Sequence, residues 1–182
     1  MTDVNKKPQV ICACPPKSPG WDEKDLELSG HCVHEMSFPT FFHMPLAYDT
    51  YVKKQAENIE QLDLKEKWPG LIFTRTGFWR GKLMRLLEAE QTASRLVKYL
   101  PAPFNLRVNL HDGGMGTVAK TIQAQHIKMS DMGRSARELY LAHLTCPVCE
   151  DRKGGEKILV IRRWIDNPRL KMRLEQRQQK SK

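Results

Sequence analysis

The strongest chemical signal in this 182-residue chain is the spacing of its five cysteines, at positions 12, 14, 32, 146 and 149. Cys146-Pro147-Val148-Cys149 is a C-x-x-C turn, in which two thiolates can converge while backbone N–H groups stay available to the sulfurs. Cys12-Ala13-Cys14 is its natural complement. In an extended chain, residues i and i+2 project from one side and can grip a single ion. Four thiolates suit Zn²⁺ and equally suit an iron–sulfur cluster; spacing alone does not separate the two. An attached haem is excluded, because C-x-x-C-H would need His where Glu150 stands. The bland alternatives are a redox dithiol at Cys146/Cys149, or five separate reduced thiols. The reading taken forward is one metal, zinc first and iron–sulfur second, held by Cys12, Cys14, Cys146 and Cys149.

The C-x-x-C also resembles one half of a zinc knuckle, although over four residues only, and Glu150 replaces the glycine usual after the second cysteine. A second constellation is His31-Cys32-Val33-His34-Glu35, with His43 eight residues beyond Glu35 in the same His- and Phe-rich stretch. On one helical turn His31 and His34 would share a face, and Glu35 and His43 could complete an N/O site with an open position. That site would make the chain a metal-dependent oxidoreductase. Pro39 argues against one continuous helix, so the preferred picture of 29–44 is an ordered loop, with Cys32 as a spare thiol for the first site. His111-Asp112 precedes Gly113-Gly114 at a strand end and reads first as a turn. The glycine run there lacks the lysine and spacing of a phosphate-binding loop.

Between Arg75 and Arg85 bases interleave with Phe78 and Trp79. This composition fits a single-strand nucleic-acid platform; the preferred reading is a strand-to-helix junction with the rings in the core. The net charge of +9 is also unevenly placed. Residues 151–182 hold 11 bases against 4 acids, whereas the rest of the chain is close to neutral. Any electrostatic partner, an acidic protein or nucleic acid, is therefore expected at residues 162–182.

These groups need elements to position them. Pro45 suits the first turn of a helix, and apolar residues at helical spacing extend it over 46–63. Leu71–Thr76, Phe104–Leu110 and Lys157–Ile161 read as strands. Gly81–Leu87, Thr92–Leu100 and Ser135–Leu144 read as helices, the last opened by Ser135-x-x-Glu138 as a capping box. Asn167-Pro168 opens a polar terminal helix. No internal repeat is visible. The expected fold is one compact α+β domain with a small mixed or antiparallel sheet, several short helices and a metal staple. Within it, 1–30 form an irregular Pro-rich segment, 31–165 the core, and 166–182 a basic helix or tail. Without an apolar span or leader, the chain is expected to be cytoplasmic and away from membranes. The function that follows is metal binding plus a basic docking segment, with the oxidoreductase as the alternative.

Overall fold

The computed structural model describes residues 12, 14–88 and 94–180. In chain order the elements are β1 (Asp25–Glu27), β2 (Cys32–Phe41), β3 (Met44–Pro45), α1 (Tyr48–Gln61), β4 (Phe73–Arg75), β5 (Arg80–Leu86) and β6 (Val97–Tyr99). There follow β7 (Asn105–Asp112), α2 (Val118–Asp131), β8 (Arg134–His143), α3 (Glu150–Lys153), β9 (Lys157–Asp166) and α4 (Pro168–Lys180). The strands form one antiparallel nine-stranded sheet in the order β1-β7-β9-β8-β4-β5-β2-β3, with β6 on β2. The class is α+β, as the sequence implies, but the sheet is larger than expected. No described helix is long and apolar enough to cross a membrane.

A repeat hidden in the sequence organises this sheet. The order strand, helix, strand, strand occurs as β2-α1-β4-β5 and again as β7-α2-β8-β9. Each 14-residue helix buries a glutamine at its eighth position, Gln55 and Gln125. Gln55 Nε2 donates to the carbonyls of His34 and Leu83; Gln125 Nε2 donates to those of Arg107 and Val160. His34 lies opposite Arg85, two positions from Leu83, and Arg107 lies opposite Arg162, two positions from Val160. The two pins are therefore equivalent. The halves meet where Thr74 of β4 pairs with Leu141 of β8, themselves equivalent positions opposite Leu83 and Val160. The repeat escapes the sequence because, the buried glutamine apart, equivalent positions share geometry rather than side chains. His34 matches Arg107, for example, and Phe73 matches Tyr140.

One face of the sheet builds the main core from Phe73, Leu106, Val108, Leu159 and Ile161, closed by Trp21 from the N-terminal segment. Trp21 meets Trp68 and Phe73 edge-on. The other face takes α1 on the first half and α2 on the second. Two expected helices are strands. Gly81–Leu86 lies in β5, because a central strand covered on both sides loses the period-two signature and can use Leu, Met and Arg. Ser135–His143 lies in β8, because pairing with β9 and β4 overrides the helix-cap pattern. Likewise 29–44 is strand β2 and the short β3 rather than a loop, and Pro39 sits inside β2. From the expected helix at 92–100, 97–99 form β6, while 92–93 lie outside the described residues.

Gly81 is fixed by packing. A Cβ there would collide with the Phe38 ring, which is 2% exposed. Gly81→Ala is expected to cost about 1–3 kcal/mol by overpacking, read as an earlier urea midpoint. Adding Phe38→Leu should return part of that loss; a loss unchanged in the double variant would rule out this contact as the cause.

Candidate active site and candidate metal centre

β8 ends at His143, and the chain then makes the C-x-x-C turn before α3. The N–H groups of Cys149 and Glu150 both donate to the Cys146 carbonyl at 2.9 Å, and the Cys146 N–H points to Cys149 Sγ at 3.3 Å. Gly154, at φ 74°, ends α3 in the left-handed conformation that glycine adopts without strain. The N-terminal segment is tied to this turn by Lys153, whose Nζ donates to the carbonyls of Pro15 and Leu144. The result brings Cys12, Cys14, Cys146 and Cys149 together, with all four Sγ atoms within 4.8 Å of one another. Cys146 Sγ lies 3.7 Å from Cys12 Sγ and 3.8 Å from Cys149 Sγ. Metal–sulfur bonds of about 2.3 Å in a tetrahedron require edges of about 3.8 Å. These four side chains could hold a metal ion. As bare thiols they are mutually perturbed. A hydrogen bond from the Cys14 backbone lowers Cys12 to about 7, with Cys149 and Cys146 assisting. Burial, with the neighbouring sulfurs, pushes Cys14 up, and burial raises Cys149.

The secondary candidates are not gathered. Alternation along β2 sends His34 and Glu35 to opposite faces. His34 is fully buried, with Nδ1 3.3 Å from Gln55 Nε2, and burial holds its pKa below the usual value. Burial favours the protonated Glu35, but hydrogen bonds from Lys98 (2.7 Å) and Lys82 (3.0 Å) outweigh it and lower its pKa. His31 Nε2 faces Lys67 Nζ at 3.1 Å, and Cys32 is buried among Ile59, Leu64 and Leu87. His43 sits in the β2–β3 turn. Among the described residues no second cluster of three or more such ligands occurs. His111 is not part of the turn but lies within strand β7, paired with Ile158, and its ring is held by Thr121 (2.8 Å) and Thr117 (2.9 Å); the turn begins after Asp112.

What the sequence does not suggest is a cavity of about 810 Å³ over the β4–β8 seam, where neither α1 nor α2 covers the sheet. The two halves contribute alike: Tyr48, Thr74 and Arg75 from the first, Arg137, Glu138 and Leu141 from the second. Glu138 lies inside a β-bulge, since the β8–β9 register shifts between Ala136 and Leu139. Bulges re-aim side chains and recur beside active sites. Arg163 reaches the two Glu138 oxygens at 3.3 and 3.5 Å, and Arg75 approaches at 3.8 Å. Arg163 is itself held by the Pro103 carbonyl and stacked over Phe104. Tyr48 Oη lies 2.8 Å from Thr74 Oγ1, and burial raises its pKa, so the phenol stays protonated at neutral pH. Burial lowers the pKa of His143, with Glu156 partly opposing. The Ser135-x-x-Glu138 motif does mark this carboxylate, but a strand replaces the helix it would have capped.

At the cavity mouth the β2–β3 turn holds Phe42 and His43 at φ 47° and 65°, a left-handed pair built without glycine. Phe41, Phe42, Phe78 and Trp79 pack edge-on or tilted there, with Phe42 57% and Trp79 62% exposed. The rings are thus on the surface rather than in the core. The nearby bases are largely engaged: Arg75 by Glu138, Lys82 by Glu35 and Arg85 by Glu66.

Comparison with known proteins adds three findings. The fold is similar to that of a solved structure described as the crystal structure of the EcmrR C-terminal domain, with TM-score 0.58 and 9% identity over 78% of this chain and 96% of that one. No curated protein matches the chain at a significant level. A family model described as "Bacterial hydrolase" matches residues 2–164, which takes in both the cysteine cluster and the cavity, and the chain belongs to this family of bacterial hydrolases.

Proposed function

We propose that the protein hydrolyses a small organic substrate in the cavity over the β4–β8 seam, with Glu138 as the general base. The observation that carries this reading is the placement of Glu138: it sits in a bulge among the residues that line the cavity, and Arg163 and Arg75 hold its carboxylate. In the proposed step Glu138 takes a proton from water, the resulting hydroxide adds to the substrate carbonyl, and the same proton passes to the leaving group. Tyr48 supplies a neutral donor toward the carbonyl oxygen. Membership of a hydrolase family supports the reaction type. The test is turnover of a panel of aryl esters, amides and lactones by the wild type and Glu138→Gln. The reading fails if every substrate that is turned over is turned over equally by the variant.

The cysteine cluster is proposed to hold zinc in a structural role. Four thiolates fill a tetrahedral shell and leave no position for water, so hydrolysis is assigned elsewhere. Reduced thiolates at such a centre also favour a cytoplasmic location. An iron–sulfur cluster on the same ligands, the basis of an oxidoreductase reading, would colour the protein brown.

α4 is proposed as a docking segment for an acidic partner. It is exposed along nearly its whole length and carries Arg169, Lys171, Arg173 and Arg177 against Glu175. Truncation after Asn167 is expected to abolish salt-sensitive retention on heparin while leaving metal content and the unfolding midpoint nearly unchanged. Retention that survives truncation would place the polyanion site elsewhere.

A further inference from the structure

The cavity holds more positive than negative charge, and the excess has an address. Arg75, Arg137 and Glu138 line it, and Arg163 reaches Glu138 from beside it. The single carboxylate is already shared by two guanidinium groups, at 3.3 to 3.8 Å. That leaves Glu138 poorly placed to recognise a cation. Arg137 lies next to it in the same bulge, and among the described residues no carboxylate lies within ion-pairing distance of its guanidinium. A further base lies close by, since Arg162 donates to the Arg137 backbone carbonyl at 3.3 Å. Much of the remaining wall is apolar: Pro45, Met115, Leu139 and Leu141. An unpaired guanidinium beside an apolar wall suits an anion attached to a hydrophobic body.

We propose that the cavity selects apolar molecules bearing one anionic group, a carboxylate or sulfonate, and that Arg137 is the residue that selects them. This deepens the hydrolase reading by naming its substrate class. The anionic group would sit at Arg137 while the scissile bond lies toward Glu138, so Arg137 is a specificity residue and Glu138 the reacting one.

Two fluorescent probes with one aromatic body test the proposal. 1-Anilinonaphthalene-8-sulfonate carries the anion; N-phenyl-1-naphthylamine lacks it. Charge-assisted pairing predicts that the wild type binds the sulfonate at least about tenfold more tightly than the neutral amine at low salt. Arg137→Gln should erase the preference without weakening the amine, and Arg137→Lys should keep part of it. Leu141→Trp, which fills the cavity, should weaken both probes and so locate them there. Equal binding of the two probes by the wild type overturns the proposal, as does a preference that survives Arg137→Gln or binding that ignores Leu141→Trp. Because the readout is binding, it is independent of turnover. A sulfonate preference with no Glu138-dependent hydrolysis would uphold the selectivity and refute the reaction, whereas the reverse result would do the opposite.

Discussion

Glu138→Gln is expected to lower kcat by about 10²- to 10⁴-fold on any substrate the wild type hydrolyses, with KM nearly unchanged. The magnitude follows from the role. A general base acts on the proton in flight, so removing it costs the transition state and spares the bound ground state. Glutamine keeps the shape and one hydrogen-bond acceptor for Arg163, so the bulge and the cavity should persist. The guanidinium groups of Arg75 and Arg163 lose a counter-ion, but both are partly exposed (side chains 39% and 21%), and water can replace it at small cost. Far-UV circular dichroism should therefore match the wild type. Glu138→Asp separates position from charge. It retains the carboxylate but retracts it by one methylene, and should fall between the wild type and Gln. A variant that raises KM while leaving kcat intact would instead assign Glu138 to binding.

The contrast between this residue and the cysteines shows what the sequence can disclose. Metal-ligand spacing is local: Cys12/Cys14 and Cys146/Cys149 declare themselves as pairs over three or four residues, and only their pairing across the chain needs the fold. Glu138 has no such local grammar. Its motif is a helix-cap pattern, and the meaning changes because β8 is threaded between β4 and β9, where tertiary packing overrides helix propensity. The same override turns the Leu- and Met-rich 81–87 into β5. An amphipathic element facing one core, such as α1, is legible because its periodicity is unopposed. The cavity is the least legible feature of all. It arises where two copies of one motif meet at Thr74 and Leu141, and neither residue announces that meeting.

Removing one ligand of the cysteine cluster should show how much of the fold depends on the metal. Protein purified without chelator is expected to contain about one zinc per chain and no visible absorbance, and Cys146→Ser should lose the metal. A link between Cys12 and Cys146 closes a loop of 134 residues. By analogy with a disulfide of that span, constraining the unfolded chain stabilises by up to about 4–5 kcal/mol. For a domain of this size that corresponds to a fall of about 10 °C in Tm. The loss should nevertheless be local. Trp21 remains anchored by Trp68 and Phe73, and Leu28 by the same core cluster, so the sheet downstream has its own support. The segment before Trp21 depends on the metal and on the Lys153 contact to Pro15 alone for its described ties to the C-x-x-C turn. Limited proteolysis of Cys146→Ser should therefore cut first before residue 21, while Glu138-dependent turnover persists below the lowered Tm. Full metal content in the variant would refute the shared four-thiolate site. Iron with visible absorbance in the wild type would replace zinc by a cluster. Loss of turnover together with the metal, at a temperature where the sheet stays folded, would move the catalytic centre from the seam to the cysteines.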